Sequence, residues 1–323
     1  MENFNMSKRL TIKDIARLSG TGKSTVSRVL NQQGDVHPQT RERIEAVIRE
    51  HQFVPSRSAR SMRVNESRVI GVILARLDSA AENQAVSAML PLLYQSGYDA
   101  IVLESRFSTD KVSEHLRVLQ QREVDGVILF SFTGLTADML SGWQDKMVLM
   151  VHPCEGFSSV CYDDVGAVNL LASHLYQLGH RTISYLGVTE DDKTTGGDRY
   201  RAYLSACERL NLSPHFALGS LDYHSGYTLA SRVCTPGTSA VICATDTLAL
   251  GVYKYLRQNP DNPIQVAAIG NTPLLGFLFP DVVILEFGYA TAGKLAARQL
   301  LSHLTRTVPR QNFLLKGKLT SDS

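Results

Sequence analysis

The sequence predicts an α/β protein, with a small N-terminal unit of three helices followed by two doubly wound lobes built on parallel sheets. Three observations carry this. From residue 68 onward, short apolar runs alternate with helical patterns. The first 50 or so residues hold three short amphipathic segments separated by turn formers. Charge divides at the same place: residues 1–64 carry 12 Lys and Arg against six Asp and Glu, and the remaining chain carries 21 against 25. A net charge of +2 over 323 residues therefore hides a basic head on a mildly acidic body. Positive charge of that kind binds phosphate backbones by counterion release, whereas the body is a poor nucleic-acid surface.

In the head, Thr11 is placed to cap a first helix, with Asp14 three residues on completing a capping box. Ile12, Ile15 and Ala16 share one face of it, and Ser19, Gly20, Thr21 and Gly22 break it. A second helix resumes with Val26, Val29 and Leu30 inward. Ser24 and Arg28 then point outward as an i,i+4 pair, with Ser27 flanking. Small polar groups and an arginine on an outer face suit a DNA major groove. A plain helical hairpin with a solvated face satisfies the same spacing. Pro38 starts a third helix whose stripe is Ile44, Val47 and Ile48, which lets three helices close a miniature core. The run Pro55–Arg63 has no acid and almost no apolar surface, so it is either a linker or a helix that orders on a partner. The expected domains are 1–64, with a hinge segment over about 55–64, and 65–323.

The body opens with strands expected at Val69–Ala75, Ala100–Leu103, Gly126–Phe130 and Lys146–Val151. Helices are expected between them near Ala81–Ser96, Thr109–Gln121 and Thr136–Trp143. The second series has strands near Thr182–Leu186, Ala240–Cys243, Gln265–Ile269 and Val282–Leu285. Its helices lie near Val165–Leu178, Arg199–Leu210, Ser225–Val233, Thr247–Gln258 and Gly288–Leu304. Ligands of such sheets sit beyond the strands' carboxyl ends, here between the lobes.

Other chemistries find little footing. Gly22-Lys23-Ser24 ends a phosphate-loop string, yet its first glycine falls on Arg17 and no buried strand precedes it. No G-x-G-x-x-G follows a strand, so no nicotinamide or flavin dinucleotide is expected. The nine histidines and the carboxylates lack a nucleophile–base or metal-ligand spacing. Asp163-Asp164 reads as a helix cap rather than a metal pair, Asp191-Asp192 as a solvated loop, and His180 as the end of a helix. The expectation is no catalytic residue, no metal and no cofactor. Five cysteines without C-x-x-C spacing read as reduced, mostly buried thiols of a cytoplasmic protein. Neither a signal peptide nor an 18-residue apolar run is present, so no membrane partner is expected, and Met1 or Met6 can serve as the start.

The run Thr11–Asn31, the proline-led third helix and the PSRSARSM segment together resemble the lactose/galactose-repressor (LacI/GalR) family of bacterial transcription regulators. The resemblance implies a helix-turn-helix reader with a hinge helix on a two-lobed, periplasmic-binding-protein-like core crossed three times by the chain. It implies Lys23, Ser24 and Arg28 as base-contacting, with Thr25, Ser27 and Asn31 contacting the backbone or fixing the helix. Thr11 and Arg57 join the DNA set, and Ala59 and Met62 take the apolar positions that pry open the minor groove. Met62 stands where leucine is usual and Ser56 where asparagine is; methionine is flexible enough to serve. In the body, Leu178-Gly179-His180-Arg181 and Ala244–Gly251 agree with the family. Thr245 and Gly270-Asn271-Thr272-Pro273 depart from it.

Arg76 follows the first strand of one lobe and Arg199 opens a helix of the other, a pairing suited to a phosphorylated ligand. Asp246 can accept sugar hydroxyls, and Thr247 can add a donor at a helix start. Phe132, Phe287 and Tyr289 are either sugar-facing rings or core. The resemblance implies repression of a sugar operon, with trehalose 6-phosphate as inducer and free trehalose as a competitor; one small helical domain reads only a few base pairs, so a homodimer on a palindromic operator is expected. The dimer is expected to use helices near Ala81–Leu93 and to lack a helical tail after Leu304. An exported solute-binding protein, a sugar-converting enzyme, or a regulator answering another sugar or a corepressor are the rival functions.

Overall fold

The computed structural model describes residues 10–30, 34–53, 67–260, 263–306 and 308–320. They fall into two compact units, Met1–Ser67 and Arg68–Ser323.

The first unit contains α1 (Ile12–Leu18), α2 (Lys23–Leu30) and α3 (Pro38–Glu50). The capping box forms: the Thr11 amide and hydroxyl donate to Asp14 at 2.9 and 2.6 Å, and the Asp14 amide donates back to the Thr11 oxygen. Ser19 stops α1 by donating its hydroxyl to the Ile15 carbonyl at 2.7 Å, and Gly20 takes a positive φ of 64° that turns the chain. Ile15, Ala16, Val26, Val29, Ile44 and Phe53 then pack as one small core. The expected hinge helix over about 55–64 lies outside the described residues, as does Asn31.

The second unit is two six-stranded sheets of matching order. Lobe one holds β1 (Val69–Leu74), α4 (Ala80–Gln95), β2 (Asp99–Glu104), α5 (Thr109–Gln121), β3 (Gly126–Phe130), β4 (Met147–Val151) and β5 (Ser158–Tyr162). The chain then crosses to lobe two for α6 (Asp164–Gln177), β6 (Ile183–Val188), a π turn (Lys193–Asp198), α7 (Arg199–Leu210), β7 (Phe216–Gly219) and α8 (Tyr223–Val233). Lobe two continues through β8 (Ala240–Cys243), α9 (Asp246–Gln258), β9 (Gln265–Ile269), α10 (Pro273–Leu278) and β10 (Val283–Glu286). A second crossing returns α11 (Tyr289–Thr305) and β11 (Asn312–Leu315) to lobe one, and a third sends β12 (Lys318–Leu319) to lobe two. The sheet orders are β11-β5-β4-β3-β1-β2 and β12-β10-β9-β8-β6-β7, parallel throughout except for β12 against β10.

The expected alternation is present, with three corrections. Residues 136–143 form successive turns with bonds such as Leu140 N–H to Ala137 O, and Gly142 adopts φ 83°. Leu140 and Trp143, three apart, imitate a helix face by burying themselves in lobe one. The last long helix follows the second lobe's strands in sequence but packs against α4 and β3–β5 of lobe one. Strands β5, β7, β11 and β12 had no strong apolar run. In β5 the buried Ser158 and Ser159 satisfy their hydroxyls through His303 and Asn312, so polar residues are tolerated inside.

Helices α4 and α11 meet closely at Gly293, where an added Cβ stands 2.1 Å from the Ala85 carbonyl oxygen. Helix propensity favours Ala over Gly by about 1 kcal/mol, but backbone cannot yield as a side chain does. Gly293→Ala is therefore expected to lower stability by about 1–3 kcal/mol. Urea midpoints decide which effect wins, and a stabilised variant overturns the packing account.

Candidate functional site

Two surfaces carry chemistry, one in each unit. In the first, the i,i+4 geometry of α2 leaves Lys23, Ser24 and Arg28 exposed, with Thr25 and Ser27 half-buried at its flank and Thr11 exposed at the start of α1. The Arg28 stem lies beside Gly34, whose φ is 72°. Arg57, Ala59 and Met62, like Asn31, lie outside the described residues.

In the second unit, the carboxyl ends of both sheets face one cavity of about 470 Å³, a size typical of small-molecule sites. Lobe one supplies Arg76 after β1, Phe107 after β2, Ser131 to Thr133 after β3 and Tyr162 at the end of β5. Lobe two supplies Asp192 and Thr194 after β6, Leu221 after β7, and Thr245 to Thr247 after β8. Arg199 and Tyr289 complete the wall, so Arg76, Arg199, Asp246 and Thr247 are brought together.

The two arginines differ in character. Arg76 reaches across the cleft, its Nη1 donating to the Leu221 carbonyl at 2.7 Å while Nε holds Asp78 at 2.9 Å. Arg199 is buried, with side-chain exposure of 6 %. Its Nε meets Asp164 Oδ1 at 2.6 Å, Nη1 donates to the Ala244 carbonyl, and the Phe287 ring lies alongside. Burial pushes Asp164 up against the pull of Arg199. Asp163 is the N-cap of α6, holding Gly166 N–H at 2.9 Å.

Asp246 is likewise buried, which raises its pKa, and it accepts the Thr247 amide at 2.8 Å. The Thr247 N–H is thus already engaged. Thr245 caps α9 through Leu248 N–H. Phe132 is buried at the wall and meets the half-exposed Phe107 edge to face at 5.6 Å. Phe107 and its neighbour Arg106 both hold positive φ, 57° and 49°, a conformation that bulky residues rarely adopt and that marks sites under constraint. Phe287 is buried against Tyr162, at 5.0 Å between rings.

Sequence reasoning missed Glu82, Phe107 and Asp192. Glu82 sits in the first turn of α4 and accepts the Ala75 and Arg76 amides at 2.9 and 3.2 Å, fixing the turn that carries Arg76. Asp192 caps the π turn by accepting from Thr195 and Gly196 N–H at 2.6 and 3.2 Å, and so is structural as well as cavity-facing. The available signal for the two carboxylates was an acid at the start of the element that follows a strand-end loop, Glu82 in the first turn of α4 and Asp192 as the cap of the π turn. His180 closes α6 through its backbone, N–H to Leu175 O at 3.1 Å, after Gly179 at φ 96°. Among the described residues, no group of three or more His, Cys, Asp or Glu gathers as for a metal, and no helix is long and apolar enough to cross a membrane.

Residues 11–56 match the family model of bacterial regulatory proteins of the lacI family, and residues 172–321 match a periplasmic binding protein-like domain. The chain is 53% identical over 315 residues to the HTH-type transcriptional regulator TreR of Escherichia coli (strain K12), covering 98% of this chain and 100% of the relative. TreR of Salmonella typhimurium is 51% identical over 307 residues, covering 95% and 98%. Among solved structures, the trehalose repressor from Escherichia coli matches with a TM-score of 0.77 at 48% identity, over 78% of this chain and 99% of that one. The lac repressor dimer bound to operator and the anti-inducer ONPF shares the fold, with a TM-score of 0.83 at 22% identity over 97% and 98%.

Two predictions come from the cavity. Removing Arg199 strands Asp164 in the interior, so Arg199→Ala is expected to cost about 3–5 kcal/mol, against about 1 kcal/mol for Arg76→Ala, which loses only partly exposed hydrogen bonds. Equal urea midpoints for the two variants contradict this division of roles. The second concerns Glu82, whose carboxyl burial pushes up to about 7 despite the Arg76 and Ala75 amides. The folded state keeps a proton that the unfolded chain has released above its ordinary value of 4.5, so this residue makes stability fall as pH rises toward 7. Glu82→Gln is expected to gain roughly 1–3 kcal/mol on the parent between pH 5 and 8. A difference that stays flat with pH removes the assignment.

Proposed function

Because the chain belongs to the lacI family of bacterial regulatory proteins, and is a DNA-binding transcriptional repressor rather than an enzyme, we propose that it represses a trehalose-utilisation operon and is released by trehalose 6-phosphate. The observation that carries the ligand class is the convergence of Arg76 and Arg199, one from each lobe, on a single cavity. Guanidinium groups suit a phosphate because they offer fixed pairs of N–H donors. The carboxyl groups of Glu82, Asp192 and Asp246 on the same wall suit sugar hydroxyls, and Phe107 with Phe132 offers an apolar edge. Two relatives more than half identical are named TreR, and a solved structure at 48% identity is a trehalose repressor.

Members of this family bind operator DNA as dimers. We place the DNA contact on Thr11, Lys23, Ser24, Thr25, Ser27, Arg28 and Asn31, with Arg57, Ala59 and Met62 in the hinge. Lys23, Ser24 and Arg28 stand exposed on one helix, as base reading requires. We place the homodimer contact on α4 and α10; Leu274, Phe277 and Leu278 of α10 are exposed, Phe277 at 83 %. Large apolar side chains clustered at a surface mark interaction sites. Ligand alters how the two lobes of each subunit sit, and the operator-bound arrangement loses population. By linkage, operator and inducer must weaken each other's binding by the same factor.

Fluorescence anisotropy with a palindromic duplex and a scrambled one tests the proposal. The parent is expected to prefer the palindrome and to release it with trehalose 6-phosphate. Arg76→Ala is expected to bind the operator normally but to need at least about tenfold more of the phosphosugar, as for loss of a charge-assisted pair. An unchanged response takes Arg76 out of the site, and equal action of free glucose and trehalose 6-phosphate overturns the ligand.

A further inference from the structure

Outside the cavity lining, a chain of polar contacts runs from lobe one into lobe two. Gln84, on the second turn of α4 in lobe one, donates its Nε2 to the backbone carbonyl of Asn271 in lobe two at 2.8 Å. Asn271 sits between β9 and α10, and its own Nδ2 donates to Glu286 Oε2 at 3.0 Å. Glu286 ends β10, where the chain turns back to lobe one, and its other oxygen meets Lys318 Nζ at 2.9 Å. Lys318 opens β12, just past the third crossing. Asn271 and Lys318 together hold the Glu286 carboxyl below the usual carboxylate range, as expected of an anion at the centre of such a chain.

The placement of these groups matters more than their number. Among the described residues, two other side-chain hydrogen bonds span the cleft, Arg76 to the Leu221 carbonyl and the Lys193 amide to Thr133 Oγ1 at 2.8 Å. Both involve residues of the cavity wall, so a ligand competes with them or rearranges them. Gln84 and Asn271 do not line the cavity, so a molecule filling it meets neither partner of their bond directly. Helix α4 also carries Glu82, whose carboxylate holds the Arg76 turn, only two residues before Gln84. One rigid helical turn therefore touches the cavity wall at Glu82 and the opposite lobe at Gln84. Asn271 in turn lies two residues before α10, the helix with exposed Leu274, Phe277 and Leu278.

We propose that Gln84, Asn271, Glu286 and Lys318 form an interlobe relay that sets the angle between the lobes and transmits occupancy of the cavity to α10. The relay rests on the reading of the cavity as an effector site, but its integrity does not. Gln84→Glu replaces the donor with an oxygen facing the Asn271 carbonyl while keeping size and helix propensity, and Gln84→Ala simply removes it. Glu286→Gln weakens the centre without changing shape.

In the ligand-free full chain, hydrogen exchange over residues 270–278 is expected to quicken several-fold in each variant, most in Gln84→Glu, while residues 240–243 keep the parent rate. Calorimetry with trehalose 6-phosphate is expected to show about 3- to 10-fold weaker binding in Gln84→Ala. The Gln84→Ala, Glu286→Gln double variant is expected to be less impaired than the two single losses multiplied, because both act on one chain of contacts. Unchanged exchange at 270–278 overturns the relay. So do fully multiplicative losses, or altered exchange with parental affinity, which is what a merely structural contact gives. A parent that ignores trehalose 6-phosphate sinks the ligand reading alone and leaves the relay to be decided by exchange in the ligand-free protein.

Discussion

The pair of Arg199 with Asp164 is the contact on which the two-lobed unit depends. Asp164 stands where the chain first enters lobe two, and Arg199 opens the helix after the π turn. Their 2.6 Å contact is out of solvent, and the same guanidinium reaches the end of β8 and lies against Phe287 at the second crossing. Two crossings and one strand end are thereby gathered on one positive charge. Such a pair adds little net stability over a well-packed apolar substitute, because desolvation offsets its attraction. Its value is positional: it places charge at the floor of a cavity where an anion can be met.

Around that floor, the cavity is built from strand ends rather than from a dedicated loop. Most parallel strands deliver their last or following residues to the same rim, so ten separated stretches of sequence converge without any long insertion. Glu82 and Asp192 show how binding groups and structural groups overlap. Each fixes backbone amides of a wall turn while turning a carboxylate toward the space a ligand occupies. The head works on the opposite logic: its small core leaves Lys23, Ser24 and Arg28 exposed on the outer face of α2.

Local signals in the sequence were enough for most of the elements. The capping box at Thr11, the proline at the start of α3, and the alternation of strands and helices rest on contacts a few residues apart, which periodicity reports directly. Thr109–Gln121, Gly126–Phe130, Arg199–Leu210, Ala240–Cys243 and Gln265–Ile269 form with the bounds their apolar spacing gives. Residues 136–143 failed because two anchors three apart satisfy a helical pattern and a run of turns equally. Strand β5 failed because its serines find partners only from the far end of the chain.

Which lobe an element joins, and which polar groups face one another, was settled only in three dimensions. Helix α11 follows lobe two in sequence yet packs on lobe one, since its small face at Gly293 fits the backbone of α4. Arg76 and Arg199 were legible as strand-end and helix-start residues, but one proved to span the cleft and the other to be enclosed by Asp164. The physical reason is range. Helical and strand periods are properties of a dozen neighbouring residues, whereas the Gln84–Asn271 bond joins positions 187 apart and forms only once two sheets have met.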